Sequence, residues 1–192
     1  GRINIRRLEQ GVKVIADLAN AGCELLLVSS GAIGVGISKI GLPERPSDLP
    51  TKQACAAVGQ SELMYLYDYL FGRFNHTVAQ ILLTREEFEV PTRREHMHNT
   101  LSRLLELGIL PIINENDTVA VDEILVGDND TLSALVAVLI EADTLLMLTD
   151  IDGFYSKDPH RFPDAQLLSE VSLSAPGIDE AASGAGSERG TG

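Results

Sequence analysis

The 192-residue chain has no tryptophan, two cysteines and little positive charge: 15 Lys and Arg stand against 28 Asp and Glu, a formal net charge of −13. Each shortage excludes something. A field of that sign repels phosphodiester backbones and anionic lipid, so neither nucleic acid nor membrane is an expected partner. An anionic small molecule remains possible where local cations, backbone N–H groups or a metal offset the field. Cys23 and Cys55 lie in apolar surroundings without metal-ligand spacing and read as reduced core thiols of a cytoplasmic protein, not as a disulfide. No apolar run reaches the roughly 18 residues of a membrane span, and no signal peptide is visible. Neither G-x-G-x-x-G nor G-x-x-x-x-G-K-[ST] occurs. No local motif suggests a Ser/His/Asp arrangement. His96 and His98 stand two apart, diverge on a helix, and read with His76 and His160 as surface or satisfied histidines.

What is present is an alternation of helical patterns and short apolar runs. Ile5, Leu8, Val12, Ile15 and Leu18 recur at helical spacing and Gly22 can stop that helix. A buried strand is expected at 24–28. "GLPERPSDLP" at 41–50 reads as a loop, 51–72 as a helix, and "VAQILL" at 78–83 as a second strand. A helix over 92–107 ends at Gly108, "ILPII" at 109–113 makes a third strand, and 118–127 suits a short hairpin around Asp122 and Glu123. An apolar helix follows at 130–142, then a fourth strand, "TLLMLT", at 144–149. Continuous apolar strands alternating with helices predict a mostly parallel sheet covered on both faces. No internal repeat or interdomain linker interrupts residues 1–192, which read as one domain. The opening "GRINIRRLEQ" is already helical and the closing "SGAGSERGTG" is Gly/Ser-rich, so a segment cut at both ends is expected.

Ligands of such sheets sit beyond the carboxyl ends of the strands, and four polar clusters fall there. The first is "SSGAIGVG" at 29–36, small residues that let something approach the backbone closely, with a helix N-terminus suited to an anion. The second is Asn114, Glu115, Asn116 and Asp117, poor strand material offering the donors and acceptors that an ammonium and a carboxylate require. The third, "GDND" at 127–130, holds more carboxylate than one helix cap needs. The fourth is Thr149-Asp150 with Asp152 and Gly153. Each alone reads as an ordinary turn or cap. Together, at one edge of one sheet, they predict a shared ligand site. Arg85, Arg93 and Arg94 read as a solvated face.

"LLLVSSGAIGVG", "KQACAAVGQSELM", "AQILLT", "PIINENDTVAV", "VGDNDTLSALVA", "LLMLTDIDGFYSKDP" and the closing "GTG" resemble, in order, the strings of the glutamate 5-kinase family, a branch of the amino acid kinases. The resemblance implies a three-layer αβα sandwich. It also implies phosphorylation of the side-chain carboxylate of L-glutamate by ATP with Mg²⁺, the step that opens proline biosynthesis. Proline as a feedback inhibitor, a homodimer or homotetramer and a cytoplasmic location are further implications. By the same resemblance Ser30, Asp117 and Asn129 bind glutamate, and Asp130 orients the catalytic lysines. Gly31 supplies N–H groups near the transferred phosphate, and Thr149 and Asp150 contact the nucleotide. No metal ligand is implied on the chain. The family's two lysine strings, "VVK-x-G-[ST]" at the first strand and "GGM-x-TK" after the last loop, lie outside these residues, and Lys39, Lys52 and Lys157 do not match them. The residues alone also fit a same-fold kinase acting on another amino acid, or a catalytically dead module that binds glutamate or proline.

Overall fold

Ile112 and Ile113 are neighbours on one strand and both are almost fully buried, in two different apolar clusters. Successive side chains of a strand point to opposite faces, so the sheet is covered on both sides. A computed structural model of the protein describes residues 3–120, 129–149 and 151–172. It divides into two units, Gly1–Ala142 and Asp143–Gly192.

The first unit carries α1 (Ile5–Asn20), β1 (Leu27–Val28), α2 (Ala32–Ile40), α3 (Leu49–Gly72), β2 (Val78–Leu83), α4 (Glu86–Glu89), α5 (Pro91–Glu106), β3 (Leu110–Glu115) and α6 (Asn129–Leu139). The three strands are parallel in the order β1-β3-β2. On one face Ile112 packs with Val12 of α1, Ala32 and Val35 of α2, and Leu63, Tyr67, Leu70 and Phe71 of α3. On the other, Ile113 packs with Met97 and Leu101 of α5 and Leu132 and Val136 of α6. This is the expected αβα sandwich. The helices start where the sequence can satisfy their free N–H groups: Asn4 accepts from Arg7 N at 3.1 Å, and Asp48 from Thr51 N at 2.9 Å. The hydrogen bond from Thr51 also holds the Asp48 carboxyl below the usual carboxylate range.

The strands differ from expectation in three places. β1 is only Leu27–Val28, not 24–28. Leu110 N donates to Thr77 O on the β2 side, so Pro111 turns its nitrogen toward β1. Proline has no N–H to give, and the β1 ladder begins only at the Leu27–Ile112 pair. β3 does not stop at residue 113 but runs on through Asn114 and Glu115; both are buried and backbone-paired with β2. The run 144–149 forms no strand among the described residues. Leu146 is 76 % and Leu148 92 % exposed. Apolar residues favour a strand only where a neighbouring backbone meets them. The expected hairpin at 118–127 lies mostly outside the described residues, although 117–119 form a turn. Of the two cysteines, Cys55 is buried as expected and Cys23 is exposed; both are free.

In the second unit Tyr155 and Leu167 form an antiparallel bridge. Ser156 N donates to Gln166 O at 2.9 Å and Leu168 N to Phe154 O at 2.8 Å, closing a small loop. No helix among the described residues is long and apolar enough to cross a membrane.

Candidate active site

Because the strands are parallel, their carboxyl ends share one edge, and the loops there are tied to one another. Ser29 N donates to Ile113 O at 2.8 Å, continuing the β1–β3 ladder by one rung. The Ser29 hydroxyl lies 2.8 Å from the Tyr67 hydroxyl of α3 in a buried contact. Burial pushes the Tyr67 phenol up, which keeps it a neutral O–H. Ser30 follows, exposed, and Gly31 caps α2 with φ 96°, a left-handed conformation that favours glycine.

The close approach that the small residues of this turn predict is made by α3. A Cβ at Gly36 would lie 1.8 Å from Cys55 O, and one at Gly59 would lie 1.8 Å from Ala32 O. Gly36 and Gly59 therefore let α2 and α3 cross backbone to backbone. A Cβ at Gly31 or Gly34 would meet nothing within 4 Å, so the turn itself is open.

The end of β3 is held by a chain of amides. Asn114 is 2 % exposed and Gln60 of α3 is 8 % exposed. Asn114 Nδ2 donates to Gln60 Oε1 at 2.9 Å, and Asn114 Oδ1 accepts from Glu115 N at 2.9 Å. Asn129, the first residue of α6, donates through Nδ2 to Ser29 O at 2.5 Å and to Asn114 Oδ1 at 3.0 Å. One side chain thus bridges the ends of β1 and β3. Beyond them Asn116 N donates to Leu83 O at 2.7 Å, joining the end of β2. Gln53 Nε2 donates to Ala120 O at 3.2 Å, tying α3 to the turn that carries Asp117.

Asp117 is partly buried, and its carboxyl is pushed up to about 6, first by burial and then by the charge of Glu115. Two carboxylates close together out of bulk water are costly unless a cation joins them. A ligand ammonium is such a cation.

The structure therefore brings together the turn at Ser29–Gly31, the Asn114–Asp117 segment and Asn129. Asp130 is exposed in the first turn of α6, beside Asn129. Thr149 belongs to the second unit, where its hydroxyl accepts from Ile151 N at 3.1 Å in a local turn. Asp150 lies outside the described residues, as does Asp128. Lys39 pairs with Glu62, and Lys157 with Asp164 at 2.7 Å. Arg85 pairs with Glu89, and Arg93 with Glu86 and Glu87, all as exposed or half-exposed ion pairs. That is the solvated face the sequence suggests. A cavity of about 370 Å³ lies under this face, between β2 and α5, floored by Ile81, Leu83 and Leu101. Its walls are mostly apolar, and Leu83 is the residue it shares with the strand-end network. Among the described residues, no group of three or more His, Cys, Asp or Glu side chains could hold a metal ion.

Gln60 and Tyr67, the supports of the site, carry no functional signal of their own in the sequence. The available clue is one polar residue in a stripe at helical spacing: Ala56, Gln60, Leu63, Tyr67 and Leu70, all buried.

Comparison with known proteins gives the family. The amino acid kinase family model matches residues 4–189. A glutamate 5-kinase of Listeria innocua is 53 % identical over the whole of this chain and 71 % of its own length. One from Clostridium perfringens is 50 % identical over the whole chain and 73 % of its length. One from Caldanaerobacter subterraneus is also 50 % identical, over 52 % of its length. Among solved structures, an isopentenyl phosphate kinase in a substrate complex aligns with a TM-score of 0.54 at 22 % identity, over 83 % of this chain and 69 % of that one. A product complex of the T. acidophilum enzyme aligns at 0.51 and 21 %, with the same coverage. At that identity the structural likeness speaks for the fold. Fold and family model make this an amino acid kinase, and the chain belongs, within that family, to the glutamate 5-kinases.

Proposed function

We propose that this chain is the catalytic domain of an ATP-dependent kinase. It transfers the γ-phosphoryl group to the side-chain carboxylate of L-glutamate, giving L-glutamyl 5-phosphate and ADP at the start of proline biosynthesis. The nucleophile is already ionised near neutral pH, so the reaction needs no general base. An O–P bond forms at the carboxylate as the bond to the ADP oxygen breaks. The protein's task is to hold two anions together and to meet the charge on the phosphoryl oxygens.

The observation that carries this reading is the bridge from Asn129 to Ser29 O and Asn114, which gathers three of the predicted clusters at one sheet edge. In this reading Asp117 takes the glutamate ammonium, and Ser30 and Asn129 complete the amino-acid subsite. Gly31 and the open N-terminus of α2 face the transferred phosphate, where N–H groups and the helix dipole favour negative charge. Asp130 orients lysines supplied by the family's two lysine strings. Thr149 and Asp150 contact the nucleotide, and Mg²⁺ arrives on ATP. Treating residues 1–192 as one domain rests on the family match across 4–189. Feedback inhibition by proline at the glutamate subsite, a homodimeric or homotetrameric assembly and a cytoplasmic location complete the proposal.

The test is turnover of ATP by the full-length protein with L-glutamate, L-aspartate or N-acetylglutamate, with and without proline. Turnover on L-glutamate alone, reduced by proline, is expected. Turnover on another acid, or glutamate binding without turnover, overturns the reading.

A further inference from the structure

We propose that Gln60 is a positioning residue that anchors, through Asn114, the Asn129 amide whose oxygen faces the amino-acid substrate. The proposal rests on the reading of Asn129 as a substrate ligand.

Two backbone groups of fixed hydrogen-bonding role set the direction of the whole chain of amides. Ser29 O is a carbonyl and can only accept, so the Asn129 atom 2.5 Å away is the amide nitrogen. Glu115 N–H can only donate, so the Asn114 atom 2.9 Å from it is the amide oxygen. The second hydrogen of Asn129 Nδ2 then meets that same oxygen at 3.0 Å. Asn114 must turn its own NH₂ the other way, where it needs an acceptor, and Gln60 Oε1 stands there at 2.9 Å. No member of the chain can flip alone without setting donor against donor or acceptor against acceptor.

The consequence lies at the substrate end. Both N–H groups of Asn129 are committed to the scaffold. Its remaining group is Oδ1, an acceptor. An acceptor suits a ligand ammonium and repels a carboxylate. Gln60 is on α3, at the far end of the relay from Asn129, and is 8 % exposed. Its backbone is next to Gly59, where α3 touches α2, so its position is rigidly given. Remove its acceptor and Asn114 keeps a buried NH₂ without a partner, a cost that only a shift of the amide relieves. Asn129 then keeps Ser29 O, but its second hydrogen bond, to Asn114 Oδ1, is loosened and its oxygen is no longer held in one place.

Gln60→Met keeps the volume and removes the acceptor; Gln60→Glu keeps an acceptor. Steady-state kinetics on the full-length enzyme are read as KM for glutamate and for ATP, alone and combined with Asn129→Ala. Gln60→Met is expected to raise the glutamate KM about tenfold while the ATP KM moves less than twofold. In the Asn129→Ala background the same change is expected to move the glutamate KM less than twofold, because the group it orients is gone. Gln60→Glu is expected to stay within threefold of the parent, and it alone decides the matter if Gln60→Met does not fold. An equal Gln60→Met effect in both backgrounds, an equal effect on ATP, or a tenfold loss in Gln60→Glu overturns the proposal. If Asn129→Ala itself leaves the glutamate KM unchanged, the site reading fails with it. If Asn129→Ala acts and Gln60→Met does not, only the relay fails.

Discussion

"ILPIINEND" and "TLLMLTD" look alike in sequence: each is an apolar run that ends in polar residues suited to a ligand. In the structure they differ in nearly every respect. The six residues of β3, Leu110–Glu115, are all buried, with β1 on one side and β2 on the other. Its polar end is fixed by Gln60, Asn129 and its own backbone. The second run leaves Leu145, Leu146, Met147 and Leu148 exposed, and among the described residues Thr149 bonds within its own turn. The difference teaches that hydrophobic runs nominate strands but neighbours elect them. It also shows that a polar strand end becomes a site only when its amides are consumed by the scaffold, leaving defined groups for a ligand.

The largest expected effect comes from breaking the support of the ordered end. Gly59→Ala places a Cβ against Ala32 O and drives α2 and α3 apart. Overpacking against backbone should cost about 2–4 kcal/mol in chemical denaturation. Amide exchange at Asn114 and Glu115 should then quicken toward that of an unpaired segment. A loss below about 0.5 kcal/mol would show that the helix crossing does not hold β3 in place.

A smaller effect sharpens the comparison by measuring what the built site costs. The folded-state pKa of Asp117 is about 6, above the ordinary 3.8. The folded protein therefore binds this proton more tightly than the unfolded chain. The stability linked to it is full below about 3.8 and is lost as pH rises to about 6. Asp117→Asn removes that loss. It should stabilise the protein by about 1 kcal/mol at pH 8 and by nearly nothing at pH 4, while raising the glutamate KM. Thermal melts at the two pH values check the sign, and destabilisation at pH 8 would contradict it.

The smallest effect trims one bond. Tyr67→Phe removes the partner of the Ser29 hydroxyl and should cost about 1 kcal/mol. The glutamate KM should move less than threefold, since the Ser29 carbonyl still receives Asn129. A tenfold rise would make the hydroxyl pair part of the substrate subsite.

How far the sequence could be read follows from the same contrast. β2 was legible to the residue because "VAQILL" is a short, mostly apolar run bounded by polar turns. Helices α1, α3 and α5 were legible from their periodicity, to within two residues at either end for α3 and α5. The shortening of β1 was not, because it follows from Pro111, more than eighty residues away, through one missing N–H. The extension of β3 into Asn114 and Glu115 was not, because buried amides are acceptable only when partners from α3 and α6 arrive. The convergence of the strand-end clusters was legible, since parallel strands put their carboxyl ends on one edge. The relay behind them was not, since a glutamine among apolar neighbours on a helix has many ordinary explanations.

The central claim is that the tips of β1 and β3 and the start of α6 form one amino-acid subsite, with Asp117 as its anion. The most direct test is the pair of Michaelis constants of Asp117→Ala in the full-length enzyme. The account predicts a glutamate KM raised at least tenfold with the ATP KM within about twofold, a loss of about 1.4 kcal/mol or more confined to the amino acid. Equal changes in both constants, or none in either, would contradict it.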